Sequence, residues 1–353
     1  MIRCSLVLAV LAVGCAHAPR AEVAWPPPPD KARVRFVTAF AQTEDLNAES
    51  GWDEVRRKLL GTSPEPALSS PTGVAISDDG HRLYIADYSG GQLMRADFLA
   101  RRLAPFAEDE LKGRPFAVAL DEAENVYVTE TYGAPAVVVF SRDGRLLRRF
   151  GLAEKLERPT GIAVDRRQQL VYVVDSATQA SANHRVLVYD LAGKLVRQLG
   201  GEAGRPSRGD GEGQFNFPVH IAVRPSDGQV FVGDTMNFRI QIFDAAGRFL
   251  RRLGEAGDGP GTFSRIKGIA FDRFENLYVA DGQHSVVQMF NKDGQVLMFF
   301  GGFAPKLLEY FDVPGGVAIH GPSNRIYVCN EHLARINVYE LVNTTAEDAQ
   351  DPR

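Results

Sequence analysis

Phe215-Asn-Phe-Pro218-Val-His-Ile-Ala-Val223, Val230-Phe-Val-Gly-Asp234, Asn237-Phe-Arg239-Ile-Gln-Ile-Phe243 and Gly247-Arg-Phe-Leu-Arg-Arg-Leu-Gly254 follow one another within forty residues. Each contains a short run of β-branched, aromatic or aliphatic residues, and Asp, Asn and Gly punctuate the joins. This pattern predicts four strands joined by tight turns, a small antiparallel sheet. Such a sheet has two apolar faces and cannot cover both alone, so it requires neighbours of the same kind.

The neighbours are present. Pro71-Thr-Gly73, Pro115-Phe-Ala117, Pro159-Thr-Gly161, Ile266-Lys-Gly268 and Pro314-Gly-Gly316 open equivalent units, each followed by a second run ending at Asp87, Glu130, Asp175, Asp281 or Asn330. With Pro218-Val-His220 and Asp234 there are six units, their third residues spaced by 44, 44, 59, 48 and 48. Units of this size stacked radially make a propeller. The Pro-x-Gly-Val-Ala, Tyr-Val-Ala-Asp and Asn-x-Arg-Ile-Gln-Ile-Phe elements resemble NHL repeats, a resemblance that covers residues 33–341 and implies six blades. The expected fold is therefore all-β: a six-bladed β-propeller of four-stranded antiparallel blades over 33–342, followed by a polar tail over 343–353. The sixth unit lacks a fourth run, whereas Arg33-Val-Arg-Phe-Val-Thr-Ala-Phe40 has strand composition. That N-terminal strand is expected to complete the last blade and close the ring, removing the open seam. One short helix is expected before blade 1. Ser50 and Asp53 suit its start, Trp52, Val55 and Leu59 share a face, and Gly61 suits its end.

Residues 1–14 combine Arg3 with an apolar run too short to cross a bilayer, the pattern of a secretory signal. Leu11-Ala-Val-Gly-Cys15 resembles the lipobox of bacterial lipoproteins, which implies acylation of Cys15. Cleavage of an ordinary signal after Ala16-His-Ala18 is the alternative. Ala16 beside the Cys implies the outer membrane, so a lipid-anchored position in the cell envelope is expected. Residues 15–32, with Pro26-Pro-Pro-Pro29, read as an extended tether that leaves the bottom face of the ring. Of the three cysteines, only Cys329 falls within the repeats. It sits in a strand run, so an inert buried thiol is expected.

The chain carries 44% hydrophobic residues and a net charge of −4, which excludes wholesale disorder and a strongly basic nucleic-acid surface. In a propeller, the starts of the inner strands and the loops after the second strands share one rim, here called the top. Asp87, Glu130, Asp175, Asp234, Asp281 and Asn330 would ring it. Pairing with Arg185, Arg239 and Arg335 inside each blade is the favoured reading over divalent-cation binding. His220 replaces the small residue of the other openings and is expected to point into the channel mouth, near Lys267. Asn183, His184, Met236, Phe238, His284 and His332 lie on adjoining top loops and complete the ligand-binding candidates. Some NHL-like propellers, the peptidyl-hydroxyglycine amidating lyases, hold zinc on several channel histidines, but only His220 occupies such a position here. Gly209-Asp-Gly-Glu-Gly213 and Gly257-Asp-Gly-Pro-Gly261 lead into strands rather than helices, so they read as connectors. No catalytic set and no cofactor are expected. The partner expected is an envelope protein, peptide or glycan, with membrane contact through the lipid alone and no nucleic acid. A metal-dependent lyase or hydrolase, resembling the amidating lyases or the calcium-dependent lactonases and acting at the mouth around His220, is the competing expectation.

Overall fold

The computed structural model describes residues 23–47, 67–108, 110–200 and 208–345. The signal segment, Cys15, the helix expected over 50–61 and the end of the tail lie outside these residues. The described part is six antiparallel sheets: five of four strands, and a sixth enlarged to five. The inner strands are Pro71–Ile76, Arg114–Leu120, Pro159–Asp165, Pro218–Val223, Ile266–Phe271 and Pro314–His320. They belong to blades 1 to 6 in that order.

Strand alternation explains the packing. Successive side chains point to opposite faces, so each central strand contributes to two different cores. Six apolar clusters result, one between each pair of neighbouring blades. The cluster joining blade 6 to blade 1 contains Tyr327, Cys329 and Ile336 with Val74, Ile85 and Met94. That cluster is possible only in a closed ring. Inner strands approach so closely around the axis that a Cβ at Gly316 would fall 2.7 Å from the Thr72 carbonyl oxygen of blade 1. A Cβ at Gly73 would fall 2.7 Å from the Ala117 Cα of blade 2. Cys329 is free and fully buried, and that burial pushes its thiol pKa well up, so the thiol is inert.

The closing strand is Val34–Phe40, which pairs antiparallel with Arg335–Leu341, from Val34 opposite Leu341 to Phe40 opposite Ile336. A further strand, Ala24–Trp25, pairs with its outer side. The expected extended tether is therefore docked from Val23 onward. Trp25 packs its ring against Phe300, Tyr310 and Tyr339, at centroid distances of 6.2, 6.0 and 5.8 Å. The Val23 carbonyl accepts from Phe36 N–H. Val23 thus sits on the outer edge of blade 6.

A five-residue helix, Thr43–Asn47, lies ahead of the stretch where a helix was expected. Thr43 Oγ1 donates to Leu103 O and accepts from Leu103 N–H, so the segment covers the outer edge of blade 1.

Candidate functional site

The top rim is organised by one recurring irregularity. In every blade, the pairing of inner and second strand skips at the opening: between Pro71 and Gly73, Pro115 and Ala117, Pro159 and Gly161, and Ile266 and Gly268. It skips further, to the fourth residue, between Pro218 and Ile221 and between Pro314 and Val317. A bulge re-aims the side chains around it. Here the second residue of the opening faces the axis, and the third faces the neighbouring blade.

This corrects the expected orientation of His220. Its Nδ1 accepts a hydrogen bond from Ile269 N–H of blade 5 at 3.3 Å, so the neutral ring carries its proton on Nε2. Burial pushes its pKa down to about 4, from the ordinary 6.5. The ring ties blade 4 to blade 5. Thr72 and Thr160 perform the same task at other interfaces, donating to Phe116 O and Pro218 O.

A pH dependence follows from His220. A base whose folded pKa is depressed stabilises the fold fully above its unfolded value, and that stability is lost as pH falls from about 6.5 towards 4, by roughly 3 kcal/mol at most. His220→Gly is expected to melt below wild type at pH 7, because Ile269 N–H loses its acceptor. The gap should narrow as pH falls to 4. Melting curves for both proteins across that range check this, and a gap independent of pH contradicts it.

The ring of acids is saturated within the blades. Asp87 accepts from Ser69 and Ser70 N–H, Asp175 from Glu157 and Arg158 N–H, and Asp281 from Ser264 and Arg265 N–H. Glu130 likewise holds Lys112 and Gly113 N–H and pairs with Arg149. The pairs Arg185–Asp175 at 3.2 Å and Arg239–Asp234 at 2.9 Å form as expected. Arg335 departs from the pattern: it donates to Asn337, Leu307 O and Tyr310 O instead of Asn330. Burial pushes Asp175 and Asp234 up even against these donors.

Above that ring, the axis opens into a cavity of about 570 Å³ lined by residues of all six blades. Three sequence candidates lie on its wall: Lys267, Met236 and His332. Lys267 Nζ pairs with Glu331 Oε2 at 2.7 Å, and His332 Nδ1 lies 3.3 Å from Asp312 Oδ2. Met236 is 51% exposed.

The other candidates sit elsewhere. His284 lies between Asp281 and Asp258, at 2.9 and 3.2 Å. Asn183 donates to Glu157. Phe238 closes the short 3₁₀ turn Thr235–Asn237. His184 is fully buried one step behind the wall: its Nδ1 accepts from Phe217 N–H at 2.9 Å, and its ring meets the Phe217 ring edge-on at 4.6 Å. Burial first, then Arg208, pushes the His184 pKa down and keeps the ring neutral. Phe217 needs that support, because its φ of 50° is strained for a bulky residue and doubly so before Pro218. The four histidines therefore do not converge. Among the described residues, no group of three or more His, Cys, Asp or Glu side chains is placed to hold a metal ion.

What the sequence reading missed is the rest of the wall. Phe116, Phe217 and Tyr88 supply an aromatic lining, with Arg114 over the Tyr88 ring at 5.4 Å and Arg208 over Phe217 at 4.9 Å. Arg158 and Arg265 supply cations. The signal for them is the residue just before each opening: Arg114, Arg158 and Arg265 stand there in three of six blades. Arg158 Nε and Ser176 Oγ are buried and make no hydrogen bond among the described residues. An unsatisfied buried donor costs about 1–3 kcal/mol, and the acids of the carboxylate ring have no such unpaired atom among the described residues.

Comparison with known proteins bears on the fold and the repeats. A family model described as a 6-bladed beta-propeller matches residues 217–297. NHL repeat-containing protein 3 of Mus musculus is 29% identical over 196 residues, 54% of this chain and 55% of that protein. Peptidyl-glycine alpha-amidating monooxygenase of Mus musculus is 28% identical over 198 residues, 54% of this chain and 19% of that protein. The chain thus spans about half the length of the first relative and a fifth of the second. The crystal structure of an auxiliary nutrient binding protein from Bacteroides thetaiotaomicron superposes with a TM-score of 0.59 at 13% identity, covering 77% of this chain and 69% of that one. The closed ring, the six agreeing openings and these similarities agree: the chain is a six-bladed β-propeller whose repeats are similar to those of NHL repeat-containing proteins.

Proposed function

We propose that this protein is a lipid-anchored envelope propeller that binds a protein, peptide or glycan at the mouth on its top face. One observation carries the reading. The axial cavity is lined by residues of all six blades, and its wall carries the rings of Phe116, Phe217 and Tyr88 together with the cationic side chains of Arg158 and Arg265. Its volume falls within the range of small-ligand sites, large enough for a side chain, a chain terminus or one sugar. The anchor rests on Leu11-Ala-Val-Gly-Cys15, and the outer membrane on Ala16 after it.

A photo-crosslinking residue placed at Met236 in the native host should yield adducts with envelope material. The same residue at Asp143, on an exposed bottom turn, should not. Adducts from the bottom turn alone, or from neither position, overturn the reading. A tagged fatty acid should label the wild type and not Cys15→Ser.

The similarity to an amidating monooxygenase favours a second reading, a metal-dependent lyase or hydrolase acting at the same mouth. Stoichiometric zinc or calcium in purified protein, lost in His220→Ala, would favour it over the first. The Nδ1 bond to Ile269 makes this variant a structural change as well, so its melting must be measured alongside.

A further inference from the structure

We infer that the mouth recognises an oxyanion, the free carboxylate of a peptide or of an acidic sugar, with Arg158 as its principal partner. The inference rests on the mouth being the binding site and names the chemistry it selects. Among the lining residues, Arg158, Arg265 and Lys267 are cationic and Glu331 alone is acidic, and Glu331 is already held by Lys267. This excess of positive charge stands on a chain whose net charge is −4. The guanidinium groups of Arg158 and Arg265 have no ion pair or hydrogen bond with any described residue, unlike Arg149, Arg185 and Arg239 one layer below. Those lower arginines are matched to the buried acids, whose oxygens also hold backbone N–H groups, so the acids cannot serve the mouth.

Ser176 adds a second, independent sign. Its Oγ is buried, lacks a partner among the described residues, and Ser176 lines the same cavity as Arg158. A guanidinium and a hydroxyl on the wall of one cavity match a carboxylate, which accepts along several lone pairs at once. Phe116, Tyr88 and Phe217 flank the site and suit the body attached to that group. Phosphate shares the charge and the acceptor geometry, so it serves as an arm of the test.

The experiment titrates the purified full-length protein by calorimetry with four probes: an N-acetylated dipeptide with a free C-terminus, the same dipeptide as its amide, galacturonate, and inorganic phosphate. The expected result is binding of a carboxylate probe, at least tenfold weaker binding of the amide, and at least a tenfold loss of affinity in Arg158→Gln. That variant should melt no lower than wild type, because the side chain it replaces has no acceptor among the described residues. Stronger binding by phosphate than by either carboxylate moves the selectivity to phosphate and overturns the carboxylate assignment. Equal binding of acid and amide, no binding of any acid probe, or acid binding unchanged in Arg158→Gln each overturns the inference. In the first two cases adducts from Met236 would still support a binding mouth, so the two readings fail separately.

Discussion

A chain lacking residues 23–40 is expected to lose its cooperative unfolding transition. Val34–Phe40 supplies the outer strand of blade 6, and every other blade draws its strands from one continuous stretch. Val34 and Phe40 are 0% and 2% exposed, and they belong to the two clusters that flank blade 6. Trp25 adds a third apolar side chain against Phe300, Tyr310 and Tyr339. Burying side chains of this size contributes about 1.5–3 kcal/mol each. The three together rival the 5–15 kcal/mol by which an entire domain is typically stable. The loss also bares the edge of Arg335–Leu341, an unpaired strand that invites aggregation. Calorimetry and circular dichroism on the truncated chain check this. A sharp transition at the wild-type temperature would mean that the ring does not depend on its closing strand.

Asp234→Ala is expected to cost about 3–5 kcal/mol, the usual penalty for removing one member of a buried ion pair. The carboxylate is fully buried, and its Oδ2 accepts from Arg239 Nε at 2.9 Å, Asn237 Nδ2 at 2.8 Å and Gln241 Nε2 at 3.1 Å. Oδ1 accepts from Asn216 N–H at 2.6 Å, which fixes the residue two before Pro218. Alanine leaves the Arg239 charge inside the blade without a counterion and frees the segment that carries Phe217 to the mouth. The melting temperature should fall by on the order of 10 °C. Asp234→Asn, which keeps an acceptor, should fall less. The sign with pH is separate. Burial pushes this carboxyl up from its ordinary range, so its titration favours the fold at low pH and withdraws stability as pH rises through the raised value. Thermal melts of both variants test the ranking, and equal melting of Asp234→Ala and wild type contradicts it.

The sequence made the ring legible because its determinants are local and repeated. Six openings, five acidic strand ends with Asn330 as the sixth, and one missing run were enough to assign Arg33–Phe40 to the last blade. The pairs Arg239–Asp234 and Arg185–Asp175 were legible too, because an acid and an Arg across one hairpin have few other ways to be satisfied. Other features depend on geometry that spacing does not encode. A bulge at each opening changes which residue faces the axis, so the third residue, His220, turns to the neighbouring blade and the second, Val219, lines the mouth. Arg335 departed from the pattern because Leu307 O and Tyr310 O, brought in by the preceding connector, compete for its donors. The docking of Trp25 depends on an aromatic pocket made by Phe300 of blade 5, Tyr339 of blade 6 and Tyr310 of the connector between them, and a proline run gives no sign of it. The arginines before the openings were visible as letters. What was not visible is that Arg158 remains unsatisfied while Arg185 is paired.

Hydrogen exchange of the full-length protein, followed by mass spectrometry, tests the closed ring most directly. The peptide covering Val34–Phe40 should exchange as slowly as the one covering Arg335–Leu341, and both should open only with global unfolding. Rapid exchange of Val34–Phe40 while Arg335–Leu341 stays protected would contradict closure, and with it the six-sided mouth on which the functional reading stands.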